Sequence, residues 1–481
     1  MKRLWLFVGL VVICLTNAAV CWAQPTVWYA AISKTALNVR GSPVVVGQVA
    51  VNLTQPGAVL VQFDGDTFCD VGDRIVLAAS DTPDWGPNDG NVSVLAGAPG
   101  SGECFSHSRV YAAPAGPHTF YAVAQNYVDE GGSGTASIYG TLKVKFFPQT
   151  PNSAFVRQQG ISQTFINVRG TPVVVGTVTI QAPASGKVVA HFDGDCISSV
   201  GDRIVLAASD TPDWGVNDGN VGVKAVSATV DSQTFSHTRV YAVTAASHTF
   251  YAVAQNYVEE GGTGIASIYG SLTLEFVPDS PALPFLDNRG IANSSINLRG
   301  SPVSLATITL QTPTAGDVVV HFDGSCISDV GDRIVLAASD TPDWGVNDGN
   351  VSVTAPSPAV RMQCFSHSRV YHVSAGAHNF YAVAQNYVQE SGSGFASIYG
   401  TLTAEFFLPV PYTLRAVFVP ASSTFKVLVW GPSAASARVQ RSADLVNWTD
   451  WKSIRLDPQP FEIIDPDWSS VRYRFYRVIA P

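Results

Sequence analysis

The chain has 481 residues, 46% of them hydrophobic, with 41 glycines, 29 prolines and a formal net charge of −9. A length of this order divides into several domains. The acidic balance, with no basic cluster to offset it locally, repels a phosphate backbone, so nucleic acid is not an expected partner.

In chain order, Lys2 and Arg3 precede an apolar run from Leu4 to Thr16, and small residues follow up to Ala23. This is the layout of a secretory signal peptide over residues 1–23. Its loss removes two positive charges and takes the balance to −11. No later segment reaches the roughly 20 apolar residues that span a bilayer. The expected location is therefore secreted, extracellular or at a bacterial cell surface.

The stretch VGDRIVLAASDTPDWG then occurs three times unchanged, at 71–86, 200–215 and 330–345. NVRG or NLRG (38, 167, 297), FSHSRVY or FSHTRVY (105, 235, 365), FYAVAQNYV (120, 250, 380) and ASIYG (136, 266, 396) repeat with it. The spacing of 129 and 130 residues is that of a complete domain with its own core. Residues 24–150, 151–280 and 281–410 are thus three repeats, joined by proline-containing segments, and residues 411–481 form a separate tail. Within a repeat, ASIYGSLTLEF (266–276) alternates apolar and polar residues, GKVVAHFDG and SHTFYAVAQNYV are rich in β-branched and aromatic residues, and RIVLAAS is apolar throughout. Turn residues separate these runs. The expected class is all-β: three tandem antiparallel, jelly-roll-like β-sandwiches of about eight strands each. The order of VVAHFDGDC, AGPHTFYAVAQ and ASIYGTLKVKFF resembles bacterial C1q/TNF-like jelly rolls.

Five cysteines remain after signal removal. In an exported protein, Cys69 with Cys104 and Cys326 with Cys364 read as disulfides, leaving Cys196 odd because Thr234 stands at its partner position.

The loop after RIVLAAS crowds oxygen-bearing side chains: Asp81, Asp84, Asn88, Asp89 and Asn91, repeated as Asp210, Asp213, Asn217, Asp218 and Asn220, and as Asp340, Asp343, Asn347, Asp348 and Asn350. Such oxygens suit Ca²⁺, although the spacing is not that of an EF-hand. The other reading is an Asx-rich turn closed by its own side chains, with Trp85 as a core plug. Tyr121, Gln125 and Tyr127, repeated as Tyr251, Gln255 and Tyr257 and as Tyr381, Gln385 and Tyr387, offer rings and amides to a sugar, or simply cover a half-exposed sheet. His107 with His118 lacks a third zinc ligand at a telling spacing. Ser106, His107 and Asp89 lack the nucleophile elbow of a serine hydrolase, so no enzymatic activity is expected.

In the tail, QRSADLVNW (440–448) and FYRV (475–478) resemble the fibronectin-type-III-like modules that end secreted bacterial proteins, which implies a small β-sandwich without catalysis. The functional expectation is a multivalent binding or adhesion protein. Its ligand is a polysaccharide or surface protein, and its oligomeric state is open. A structural spacer is the alternative.

Overall fold

The computed structural model describes residues 25–85, 91–96, 102–127, 132–150, 152–215, 219–228, 231–257, 262–279, 286–344, 349–355, 357–358, 361–387, 392–409, 412–419, 424–431, 436–456, 460–467 and 474–479. Repeat 1 comprises β1 (Thr26–Asn38), β2 (Val44–Leu53), β3 (Gly57–Cys69), β4 (Arg74–Ser80), β5 (Val92–Leu95), β6 (Gly102–Ala113), β7 (Gly116–Asn126) and β8 (Thr135–Pro148). They form two antiparallel four-stranded sheets in the orders β1-β8-β3-β6 and β2-β7-β4-β5. This interleaving of two sheets is a jelly roll.

Repeat 2 has β9 (Phe155–Asn167), β10 (Val173–Gln181), β11 (Gly186–Ser198), β12 (Arg203–Ser209), β13 (Val221–Lys224), β14 (Ser232–Val243), β15 (Ser247–Asn256) and β16 (Ile265–Pro278). Repeat 3 has β17 (Leu286–Asn297), β18 (Val303–Thr312), β19 (Gly316–Ser328), β20 (Arg333–Ser339), β21 (Val351–Thr354), β22 (Met362–Val373), β23 (Gly376–Asn386) and β24 (Phe395–Phe407). Their sheet orders, β14-β11-β16-β9 with β10-β15-β12-β13 and β17-β24-β19-β22 with β18-β23-β20-β21, repeat those of the first. Each sandwich has its own apolar core, and Val59, Val61 and Phe63 of β3 enter that of repeat 1.

The sixteen invariant residues tie this sandwich together. His107 on β6 accepts the Ala79 amide at its Nδ1 (2.9 Å), and the Tyr111 hydroxyl donates to the Ala79 carbonyl (3.2 Å). His237 with Tyr241, and His367 with Tyr371, make the same two bonds to Ala208 and Ala338. The histidine thus stitches one sheet to the other. Asp73 anchors the turn before β4 by accepting from Asn126 Nδ2 (2.7 Å) and the Gly134 amide (2.9 Å). Gly132 passes beside it at φ 95°, where a Cβ would come within 2.3 Å of Asp73 Oδ1. The triplicated motifs therefore already have structural work in every copy.

The cysteine expectation is corrected: Cys69, Cys104, Cys196, Cys326 and Cys364 are all buried free thiols. Strand register is the reason. Cys326 lies opposite Gln363, whereas Cys364 lies opposite Ser325, so the two thiols point to opposite faces of one sheet. Cys69 enters the core of repeat 1, whereas Cys104 packs against that of repeat 3, and Cys364 likewise packs against that of repeat 2.

Those crossings reveal the larger architecture. The repeats do not hang as separate beads. They close head to tail into a ring with a pseudo-threefold axis. β6, β14 and β22 all touch one another around it, and β5 packs on β14, β13 on β22 and β21 on β6. Three equivalent apolar clusters seal the seams: Leu60 and Phe147 with Val156, Val189 and Val277 with Leu286, and Val319 and Phe407 with Val27. In each repeat the outer face of the β1-β8-β3-β6 sheet or its equivalent is consequently covered by neighbouring repeats along its β3, β6 and β8 strands, and the alternate polar residues there are buried.

The tail forms two three-stranded sheets, β25 (Thr413–Val419), β26 (Thr424–Trp430) and β29 (Phe461–Asp465), and β28 (Thr449–Arg455), β27 (Ser436–Ser442) and β30 (Phe475–Ile479). Its QRSADLVNW stretch closes β27 with Gln440–Ser442 and then turns towards β28. Asp444 Oδ1 accepts the amides of Val446 and Asn447 at 2.9 and 2.8 Å, and Arg477 stacks on Trp448 at 4.4 Å.

Candidate binding clefts and the buried polar axis at the repeat seams

The seams carry the chemistry. Asp66 on β3, Asp195 on β11 and Ser325 on β19 hold equivalent positions on the covered sheet face, where they meet the short strand of the preceding repeat. At the seam of repeats 1 and 2, Ser93 donates to Asp195 Oδ2 through both its hydroxyl (2.8 Å) and its amide (3.3 Å). At the seam of repeats 3 and 1, the Ser352 amide donates to Asp66 Oδ2 (3.2 Å), while the buried Asp66 Oδ1 has no partner. Burial pushes the Asp66 carboxyl up to about 7 and that of Asp195 to about 6, against the opposing hydrogen bonds from Ser352 and Ser93.

A cleft opens over each of these carboxyls. The one between repeats 3 and 1, of about 320 Å³, is lined by Asp66, Phe68, Tyr139, Arg333, Trp344 and Tyr387, among others. Its counterpart between repeats 1 and 2, of about 170 Å³, presents Asp195, Ile197, Tyr269, Arg74, Trp85 and Tyr127. Arg333 lies over both the Phe68 and Tyr387 rings, at 5.4 and 5.3 Å, within reach of the attraction between a cation and a ring face. The seam of repeats 2 and 3 departs from this pattern. Ser325 replaces the aspartate, Gly222 replaces the serine, and Met362 fills the space, its sulfur 2.6 Å from where a Gly222 Cβ would stand.

Among the residues singled out from sequence, Tyr127, Tyr387, Asn91 and Asn350 line these clefts. Tyr121, Tyr251 and Tyr381 sit mid-strand, and Tyr121 pairs with Gln48 and Ser80 away from the clefts. Gln125 is buried and engaged. Its Oε1 accepts from Trp85 Nε1 and its Nε2 donates to the Gly41 carbonyl. Gln255 and Gln385 repeat both bonds with Trp214 and Gly170 and with Trp344 and Gly300. The tryptophan is therefore a half-buried wall, and not a core plug. Asp81, Asp84, Asp210, Asp213, Asp340 and Asp343 are exposed, Asp84 accepts the Trp85 amide (2.7 Å), and Asn220 is half-buried. The candidate loop residues Asn88, Asp89, Asn217, Asp218, Asn347 and Asp348 lie outside the described residues. His118, His248 and His378 are half-buried and bond the carbonyls of Pro114, Thr244 and Ser374, whereas His107, His237 and His367 are buried and tie sheet to sheet.

Below the clefts, the axis is lined by charge. Lys145, Glu275 and Glu405 are equivalent residues of the three repeats, and Lys145 Nζ bridges Glu275 Oε2 (2.9 Å) and Glu405 Oε2 (2.6 Å). In the next layer Lys143 pairs with Asp64 at 3.1 Å. Nearer the clefts than the Lys145 triad, His191 Nε2 faces Asp193 Oδ2 at 3.2 Å and His321 Nε2 faces Asp323 Oδ2 at 3.3 Å. Burial alone would raise Asp323, but His321 and His191 hold it well below the usual carboxylate range. Burial depresses His321 and also opposes the charge on His191, yet Asp193 and Asp323 leave the latter above the ordinary histidine value. Ser106 Oγ approaches His191 Nε2 (3.5 Å), the same nitrogen that faces Asp193. This geometry lacks the separate nitrogens of a Ser-His-Asp relay.

No protein-family model matches the chain, and no curated protein does. Among solved structures the chain is similar to the triple jelly roll of an archaeal virus (10% identity, 80% of this chain and 89% of that one, TM-score 0.17). It is also similar to a Sulfolobus Turreted Icosahedral Virus structure (11% identity, 79% and 90%, TM-score 0.19) and the Endo-D glycoside hydrolase domain of Streptococcus pneumoniae (14% identity, 44% and 37%, TM-score 0.13). The chain thus spans little more than a third of that hydrolase domain. Likenesses this slight add nothing to what the strand order establishes by itself.

Proposed function

We propose that this chain is a secreted or cell-surface binding protein whose ligand sites are the seams between its repeats, and that the ligand is a neutral polysaccharide. One observation carries the reading. Trp344, Tyr387, Tyr139 and Phe68 surround Asp66, a buried carboxyl with an unpartnered oxygen, in a cleft repeated over Asp195. Flat aromatic walls with a few convergent polar groups suit a small hydroxyl-rich ligand. Two sites on one rigid ring give a polymeric ligand avidity without either site being strong. The spacer alternative draws support from the structural use of every triplicated motif. Among the described residues no helix is long and apolar enough to cross a membrane.

The test is a glycan array probed with the labelled full chain and with its Tyr127→Ala/Tyr387→Ala variant. Both tyrosines are exposed, 44% and 41%, so their removal leaves the fold intact. Binding to neutral glycans that the double variant loses supports the proposal. Equal binding by the variant, or no neutral glycan above background, returns the protein to a spacer role.

A further inference from the structure

Along the axis, five carboxylates (Asp64, Asp193, Asp323, Glu275 and Glu405) are buried with two lysines, Lys143 and Lys145. The acids outnumber the lysines by three, and buried charge persists only when compensated. A bound cation would offset part of this excess, and one place brings three ligand atoms together. His191, His321 and Asp323 are all buried and offer one ligand atom each, within 4.8 Å of one another.

His191 Nδ1 meets the Thr238 hydroxyl at 2.7 Å, a contact that a bound ion would replace, while the other two residues keep open ligand atoms. Neither ring nitrogen of His321 has a hydrogen-bond partner, and neither does Asp323 Oδ1. His321 is only 7% exposed. His321 Nε2 nevertheless stands 3.3 Å from Asp323 Oδ2, and His191 Nδ1 stands 3.8 Å from the same oxygen. For His321 and Asp323, close approach with both imidazole nitrogens unpartnered is what two ligands aimed at a common third atom show. With zinc–ligand distances of about 2.0–2.1 Å, tetrahedral donors lie about 3.3–3.4 Å apart. Outer partners are also in place. Ser236 and Thr238 donate to Asp323 (2.8 and 2.7 Å), and His191 Nε2 faces Asp193, the carboxylate–histidine arrangement that orients a metal ligand.

We propose that His191, His321 and Asp323 hold one divalent transition-metal ion of the zinc type. Among the described residues the site occurs once, because repeat 1 has Gln62 where repeats 2 and 3 have His191 and His321. It joins repeats 2 and 3, the seam where Gly222 and Ser325 replace the serine–aspartate pair found at the other two.

The full chain, refolded from denaturant with Co²⁺ so that the buried site is reached, tests this. One equivalent bound per chain, with tetrahedral visible absorption that His321→Gln abolishes and His118→Gln retains, is the expected result. Substoichiometric metal, or a spectrum unchanged in His321→Gln, overturns the proposal. Should His321→Gln fail to refold, X-ray absorption on the zinc-loaded wild-type chain decides. Two imidazoles and a carboxylate support the site, and any other ligand set refutes it.

Discussion

Replacing Lys145 with methionine isolates what holds the ring shut. The side chain is buried and bridges Glu275 and Glu405, at 2.9 and 2.6 Å. Its removal leaves two buried carboxylates facing each other without a cation. Breaking a buried ion pair from one side costs about 3–5 kcal/mol. The ring spans Thr26 to Phe407. At about 2.1 cal/mol/K of unfolding entropy per residue, a cooperative unit of this size loses about 4–6 °C in melting temperature. If one repeat melted independently, the same loss would lower its Tm by about 11–18 °C, so the size of the shift also reports cooperativity between repeats. The assay is calorimetry of wild type, Lys145→Met, and Lys145→Met with Glu275→Leu and Glu405→Leu. The apolar triple variant should recover most of the loss, because well-packed hydrophobic replacements of buried ion networks are often neutral or stabilising. A single variant that melts within 1 °C of wild type would refute the buried triad and with it the closed ring.

Two further outcomes follow from the buried groups. Cys69, Cys104, Cys196, Cys326 and Cys364 should all resist a thiol reagent in the native state and react after unfolding without reductant; a deficit of two or four among them would restore the disulfides. Between pH 6.5 and 8.5 stability should fall by about 1–2 kcal/mol, seen as roughly 2 °C in Tm by calorimetry, because Asp66 and Glu405 are raised by burial to about 7 in the native state. Such groups bind protons in the folded chain that the unfolded chain has already released, so their stabilisation is lost as pH rises through 7. A flat or rising Tm across that interval would contradict their burial.

The sandwich itself was legible. Alternation in ASIYGSLTLEF and turn residues at regular intervals are sufficient for eight antiparallel strands, since a strand's period survives in sequence whatever covers its faces. The ring was not. Gln62, Asp64 and Asp66 alternate with Val61, Phe63 and Gly65, and a polar residue at every second position ordinarily means a face turned to water. Here that face is buried, with Asp64 1% exposed. A signal was available in the divergence of equivalent positions: Lys145, Glu275 and Glu405 differ in sign three positions beyond the Leu that follows the shared ASIYG. Free surface charges have no reason to differ in so complementary a way. The cysteines misled because spacing in sequence carries no information on which face of a sheet each thiol occupies.

That divergence also explains the covalent fusion of three copies. A ring of identical subunits must place the same residue at all three positions around its axis: three lysines or three glutamates, each set uncompensated in a dry interior. Joining the copies in one chain fixes their order and frees each position to change alone. One lysine can then serve two glutamates, two histidines can face one aspartate, and Gly222 can shrink where Met362 has grown. Such pairs also distinguish the seams, so that repeat 2 dissolved from its place would meet the wrong partner elsewhere in the ring. Fusion costs little entropy, since the linking segments are short, and specificity arises from mismatches that only one cyclic order avoids.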